Sequence, residues 1–224
     1  RDLLLRRLAE LGVHGSMLQA IAQMYWSAPL IPKQGHERGE PIDSTCGVKQ
    51  GDPLSPLLLG LFIDELESWL CRHAGPEAGV RIAQHLIHML LYADDLVLMS
   101  RSKEGLQQQL DALASFCQYR DMEVNLSKTE IVVFRPASSP ARPAEWQWQY
   151  NGAPVIVSQE FRYLGIIFHE TAGVKVAIST LAGAARRAMW AMLGKIRAAG
   201  IVDISMKLQL FRAVVAPIME YCSG

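Results

Sequence analysis

The sequence predicts an α+β fold from three observations. Half of the 224 residues are apolar, which is enough for a substantial core. Several long stretches carry apolar residues at helical spacing, and between them lie short apolar runs of strand character bounded by glycine, proline and asparagine or aspartate.

In chain order, "RDLLLRRLAELG" reads as a helix with Asp2 near its N-terminus and Gly12 as its stop. Ser16 as N-cap precedes Met17, Ala20, Ile21, Met24 and Tyr25 at helical spacing, so a second helix should end before Pro29. Residues 31–51, with Gly35, Gly39, Pro41 and Gly47, should be short strands and turns. "GVKQGDPLSPLLLGLFIDELESWL" turns helical after Pro53 or Pro56, and Gly75, Pro76 and Gly79 close that helix. "HLIHMLLYADDLVLMS" reads as two apolar strands forming a hairpin with Ala93, Asp94 and Asp95 at its tip. Ser102 caps a helix with Leu106, Leu110, Leu113 and Cys117 on one face, and "MEVNLSKTEIVVF" supplies a turn and another strand. Pro136, Ser138, Ser139, Pro140 and Pro143 mark a loop or linker, and "FRYLGIIF" reads as a strand. From Val174 onward an alanine-rich stretch is helical, with breaks near Gly200 and Pro217.

Lysine plus arginine number 22, as do aspartate plus glutamate, so the overall charge carries no basic signature of nucleic-acid binding. The balance is uneven, however. From Thr171 to Arg212 the charged residues are Lys175, Arg186, Arg187, Lys195, Arg197, Lys207 and Arg212 against Asp203 alone. This basic segment is either a solvated helix face with a sign bias or a surface for phosphate. Cys46, Cys71, Cys117 and Cys222 have no Cys-x-x-Cys spacing, which argues against a disulfide framework or compact zinc site and fits a reduced intracellular setting. Cys71, His73, His85 and His88 are read as core and surface residues, not as a metal set. No apolar stretch is long enough to cross a bilayer, since the run around residues 86–99 is broken by its two aspartates. The first residues lack the order of a signal peptide, no targeting signal is evident, and the chain reads as a piece of something longer.

Asp94 and Asp95 sit in the apolar run "LLYADDLVLMS". Turn chemistry alone would account for aspartate at a hairpin tip. Electrostatics adds a second reading: carboxylates about 5 Å apart repel by roughly 3 kcal/mol at an effective dielectric of 20, and by under about 1 kcal/mol in bulk water. With Leu90, Leu91, Tyr92, Leu96, Val97 and Leu98 as neighbours, the pair is not expected to be fully in water, yet at the hairpin tip it should be solvent-accessible and face a groove. Such a site raises a carboxylate pKa or recruits a cation, and Mg2+ prefers carboxylate oxygens with positions left for water and phosphate.

"YADDLVLMS" resembles the catalytic hairpin of reverse transcriptases, and "GVKQGDPLSPLLLGLFIDEL" resembles the diagnostic block that precedes it, about 40 residues upstream. "NLSKTEIVVF" and "FRYLGIIF" follow in the family's order. The resemblance covers nearly the whole chain, and "YADD" with "FRYLGIIF" is more similar to the non-LTR retrotransposon branch, LINE-like, than to retroviral enzymes.

The resemblance implies a right-hand polymerase palm, an antiparallel sheet with helices packed on one face, followed by a mainly helical thumb, with fingers largely missing. It places a partial palm at 1–135, a linker and primer-grip-like hairpin at 136–170 and an incomplete basic thumb at 171–224. It implies that Asp94 is a metal ligand and Asp95 supports the same site, with two Mg2+ ions in the complete enzyme. Tyr92 and Ala93 would lie beneath the primer terminus, and Gln50, Gly51, Pro53 and Ser55 would contact template and incoming nucleotide. Lys128 would assist departure of pyrophosphate, and Tyr163, Leu164 and Gly165 would belong to the primer grip. The implied partners are an RNA template, a DNA primer and deoxynucleoside triphosphates, with no membrane, in the nucleus or a cytoplasmic ribonucleoprotein.

One departure qualifies the implied activity, which is extension of a DNA primer on RNA by two-metal nucleotidyl transfer. Family members carry a further aspartate, in something like "AFD", a few residues before the helix matching "RDLLLRRL". The chain begins after that point, so the fragment alone is expected to be inactive. The alternatives are a decayed or repurposed domain that binds RNA or protein without catalysis, and a group II intron maturase-type enzyme.

Overall fold

The computed structural model describes residues 1–26, 29–43, 46–75, 77–143 and 145–221. Pro76 and Cys222 lie outside the described residues. The chain opens with α1 (Asp2–Glu10), which ends before Gly12 at φ +91°, and α2 (Gly15–Trp26). Ser16 lies inside the first turn of α2, two residues later than the N-cap position. A short ladder, β1 (Lys33–Gln34) with β2 (Glu37–Arg38), leads to α3 (Ser55–Ile63) and α4 (Leu66–His73). Two hairpins follow, β3 (Val80–Ile82) with β4 (His85–Ile87), and β5 (Met89–Tyr92) with β6 (Asp95–Leu98). Helix α5 (Lys103–Arg120) starts at Ser102, whose Oγ accepts the Gly105 N–H at 3.0 Å, and stops at Asp121 in a left-handed conformation. Beyond it come β7 (Glu130–Val132), β8 (Gln149–Tyr150), β9 (Ala153–Pro154), β10 (Ile156–Ser158), β11 (Glu160–Tyr163) and β12 (Ile166–His169). Three helices close the chain: α6 (Lys175–Ala198), α7 (Ile204–Val214) and α8 (Ala216–Met219).

The mixed helix and strand content agrees with the α+β expectation. The expected single antiparallel sheet is replaced, among the described residues, by six two-stranded ladders, of which β7 with β10 is parallel. Strands of two to four residues are too short to carry a wide sheet. Contacts divide the chain into two compact units, Arg1–Val124 with Trp148–Pro154, and Asn125–Gln147 with Val155–Gly224.

The first unit holds a cluster of Leu4, Leu8, Tyr25 and Leu58, packed by Ile21, Val48, Leu54 and Phe62 among others. A second buried group joins Leu66 and Leu70 of α4 to Leu110, Leu113 and Phe116 of α5. Residues 148–154 return to α5: the Trp148 indole donates to Lys103 O at 3.0 Å, and Gln107 and Gln149 bond reciprocally, side chain to backbone. In the second unit the β11–β12 hairpin turns through Leu164 (φ +48°) and Gly165 (φ +83°), and the Tyr221 hydroxyl donates to Leu164 O at 2.7 Å.

The segment expected as one helix from the "GDPLSP" block to Gly75 is interrupted at Asp64 and Glu65, between α3 and α4. The reason is electrostatic. The Glu65 carboxylate accepts from Arg7 of α1 at 2.6 Å and from Arg120 of α5, two arginines that are 8% and 4% exposed. Their guanidinium groups need a carboxylate there, and the helix yields at that residue to supply it.

Replacing Glu65 with alanine should therefore strand two buried cations and destabilise the first unit by about 3 kcal/mol, the low end for breaking a buried ion pair because Glu65 itself is one-third exposed. Urea unfolding checks this, and a loss under about 1 kcal/mol would contradict it.

Candidate active site

β5 pairs antiparallel with β6 in the register Met89↔Leu98, Leu90↔Val97, Leu91↔Leu96 and Tyr92↔Asp95. This leaves a two-residue loop, Ala93 and Asp94, so Asp95 is the first residue of β6 and lies opposite Tyr92. Ala93 takes φ +53°, a left-handed conformation that costs a non-glycine residue roughly 1 kcal/mol or more. Asp94 and Asp95 are both exposed, and neither carboxylate has a hydrogen bond or ion pair among the described residues. Tyr92 is 63% exposed, and Leu90 and Leu91 are exposed as well.

The expectation that apolar neighbours would withdraw the carboxylates from water is thus corrected. The hairpin carries them into solvent, where water screens their mutual repulsion to the low end of the range. Their oxygens are hard donors open to a cation, which fits Mg2+ held by one or two carboxylates with water and phosphate completing its shell. Among the described residues no third His, Cys, Asp or Glu joins them, and Cys71, His73, His85 and His88 do not gather either.

The "QGDPLSP" block forms the turn that starts α3. Gln50, Gly51 and Pro53 are exposed, and Gly51 takes φ +85°, a conformation open to glycine. Asp52 Oδ1 accepts the Leu54 N–H at 2.9 Å. Ser55 differs from the others: it is buried, donates to Lys49 O at 2.6 Å and meets the Tyr25 hydroxyl at 3.1 Å. Its hydroxyl is spent on holding the turn closed, which is at odds with direct contact to template or nucleotide. In the second unit Lys128 is exposed at the end of a single 3-10 turn, Leu126–Lys128, started by Asn125. Tyr163 ends β11 half-buried, and Leu164 and Gly165 make the following turn. "FRYLGIIF" is accordingly two strands and a turn.

Sequence reasoning passed over Arg7, Glu65 and Gln109. The signal was present for two of them. Arg7 falls on the stripe of Leu4 and Leu8, and Gln109 on the stripe of Leu106, Leu110 and Leu113, so each is a polar residue where helical period asks for an apolar one.

A cavity of about 340 Å³ is lined by Cys117, Met122, Val124, Tyr150 and Asn151 among others, none of them a residue singled out above for catalysis. Burial pushes the Cys117 thiol up from its ordinary 9.0, partly offset by a hydrogen bond with Tyr150. Burial, and then the Cys117 contact, raise the Tyr150 hydroxyl well above its ordinary 10.0.

The chain belongs to the reverse transcriptase (RNA-dependent DNA polymerase) family, whose model matches residues 2–168. Within that family its relatives are of the non-LTR retrotransposon type. It is 34% identical over 134 residues to the Retrovirus-related Pol polyprotein from type-2 retrotransposable element R2DM of Drosophila melanogaster, covering 58% of this chain and 12% of that protein. It is 31% identical over 180 residues to the Retrovirus-related Pol polyprotein from type-1 retrotransposable element R2 of Popillia japonica, covering 78% of this chain and 24% of that protein. Against the RNA-directed DNA polymerase from mobile element jockey of Drosophila funebris it is 23% identical over 182 residues, 79% of this chain and 19% of the relative. The chain therefore spans between an eighth and a quarter of these relatives. No helix among the described residues is long and apolar enough to cross a membrane.

Because both raised groups keep their protons in the folded state after the unfolded chain has lost them, stability is full below pH 9 and falls as pH rises past it. Thermal melts between pH 8 and 10.5 should show a falling Tm, and Cys117→Ala should flatten the first part of that fall.

Proposed function

We propose that this chain is the palm and part of the thumb of a non-LTR retrotransposon reverse transcriptase, and that it takes part in extending a DNA primer on an RNA template with deoxynucleoside triphosphates. The single observation that carries the reading is the hairpin that presents Asp94 and Asp95, unpaired and exposed, inside a family match. Asp94 and Asp95 would hold Mg2+, which, when bound, activates the attacking hydroxyl and neutralises charge on the departing pyrophosphate.

The other roles are carried over from the family resemblance. Tyr92, opposite Asp95, has an exposed ring for the primer terminus, with Ala93 in the tight loop beside it. Gln50, Gly51 and Pro53 offer an exposed turn to template and nucleotide, and Ser55 keeps that turn in shape. From the family resemblance alone, Lys128 is assigned to pyrophosphate departure, and Tyr163, Leu164 and Gly165, a hairpin turn, to the primer grip. On this reading the partial palm is 1–135, the linker and primer-grip hairpin 136–170 and the thumb 171–224.

The thumb assignment draws support from α6. Lys175, Arg186 and Arg197 recur every 11 residues, which is about three turns, so they share one exposed face over roughly 33 Å. Trp190, 64% exposed, lies one turn beyond Arg186 on the same face. α6 contains no acidic residue, and Asp203, the next acid after it in sequence, is used as the N-cap of α7, accepting from Ser205 and Met206. Such a face suits a phosphate backbone.

Two-ion chemistry needs a carboxylate from a further strand, and Asp94 and Asp95 both come from this one hairpin. The 224-residue chain alone is accordingly expected to extend no primer. In the full-length protein, Asp94→Ala should lower Mg2+-dependent nucleotide incorporation at least roughly a hundredfold while leaving thermal stability unchanged. Near-normal incorporation by that variant would exclude Asp94 as a ligand.

The α6 face is tested by titrating binding of an RNA–DNA duplex against salt. Replacing Arg186 and Arg197 with glutamine should reduce the slope of log affinity on log salt by roughly 1.4 to 1.8, the value for two lost phosphate contacts. An unchanged slope removes α6 from the interface.

A further inference from the structure

We propose that Gln109 of α5 is the positioning residue of the Asp94–Asp95 hairpin, acting at the hairpin's foot. This rests on the reading of that hairpin as catalytic. Gln109 is fully buried, and its Nε2 donates to two backbone carbonyls, Ala78 O at 2.9 Å and Met99 O at 3.0 Å. Met99 is the residue after β6, and its own N–H donates to His88 O at 2.8 Å, closing the ladder at the end opposite the carboxylates. The amide therefore ties the last rung of the hairpin, and the segment entering β3, to a helix of 18 residues.

Close approach of the backbone reinforces the tie. Gly105 lies one turn before Gln109, and a Cβ there would fall 2.6 Å from Ser100 Oγ and 3.1 Å from Ala78 Cα, so the two tethered segments press on α5 where glycine leaves room. At Gly79 a Cβ would meet Ile87 O at 2.9 Å. His88, 2% exposed, packs at the same foot with Nε2 3.2 Å from Gly75 O.

The chemistry of the side chain shows that packing is not its purpose. Gln109 Oε1 has no partner, and a buried unsatisfied acceptor costs on the order of 1–3 kcal/mol, which leucine at this stripe position would avoid. What leucine lacks is the pair of N–H donors. At the tip, by contrast, Asp94 and Asp95 have no side-chain partner of their own, so their placement is inherited from the foot. Met99 and Asp95 are four strand steps apart, about 13 Å, so a tilt of about 5° at the foot moves the carboxylates by about 1 Å, a displacement that can cost roughly a hundredfold in rate.

The experiment compares Gln109→Leu, Gln109→Met and the core control Leu113→Ala in the full-length protein, below the melting temperature of each. In the glutamine variants the Met99 amide should exchange with solvent at least tenfold faster than in the parent, relative to Leu70 of α4. Incorporation should fall at least tenfold and half-maximal Mg2+ should rise severalfold, with the nucleotide KM within twofold. Leu113→Ala should leave the Mg2+ midpoint and the Met99 ratio unchanged. Glutamine variants that match Leu113→Ala in both readings overturn the proposal. If neither variant folds, the parent decides: rapid exchange of the Gln109 side-chain amide protons overturns it, and protection supports it. The exchange readings stand apart from activity, so an Asp94→Ala enzyme of normal rate would sink the catalytic reading while leaving the anchoring of the foot to be judged by exchange alone.

Discussion

One carboxylate between two buried guanidinium groups organises the first unit. Arg7, Glu65 and Arg120 come from α1, the α3–α4 junction and α5, and no two of them are near in sequence. Arg120 also lies 4.8 Å from the Tyr119 ring centroid and 5.5 Å from that of Phe62, so its charge is shared between a salt bridge and two aromatic faces. Desolvating these ions is costly, and the return is geometric, because a planar guanidinium accepts a carboxylate in few orientations. With α1 and α5 pinned to the same glutamate, α5 becomes the fixed rail on which the hairpin stands.

Local chemistry was legible in the sequence wherever it was decided locally. Ser102 as the N-cap of α5, Gly12 as the stop of α1, the helical breaks near Gly200 and Pro217 and the hairpin around Ala93 all follow from residues a few positions apart. The site was legible for a related reason: paired carboxylates in an apolar run are a local anomaly. Their accessibility at the tip was legible too, whereas the partial withdrawal suggested by the flanking leucines was not observed. What escaped were features set at long range. The break at Glu65 depends on arginines 58 and 55 residues away. The parallel pairing of β7 with β10, and the burial of Ser55 against Tyr25, likewise join segments whose meeting no periodicity announces.

The two ends of the hairpin present opposite physical regimes. At the foot Gln109 and His88 are buried and Met99 half-buried, and the Gln109 amide N–H groups are bonded within the protein. At the tip the carboxylates are left to solvent and counterions, with a strained alanine between them and the strand. A metal-binding group needs this asymmetry, since ligands consumed by internal partners have nothing left to offer a cation.

The return of residues 148–154 to α5 has a consequence for biosynthesis. Between Val124 and Trp148 the chain contributes to the second unit, so the first is discontinuous. A ribosome that has delivered α1 through α5 has not yet delivered the indole that bonds Lys103 or the backbone that pairs with Gln107. The amino-terminal unit must wait, part-assembled, for a segment that arrives only after an excursion through its neighbour. The two units are thereby interleaved in time, and neither can be produced intact by a single cut in the polypeptide.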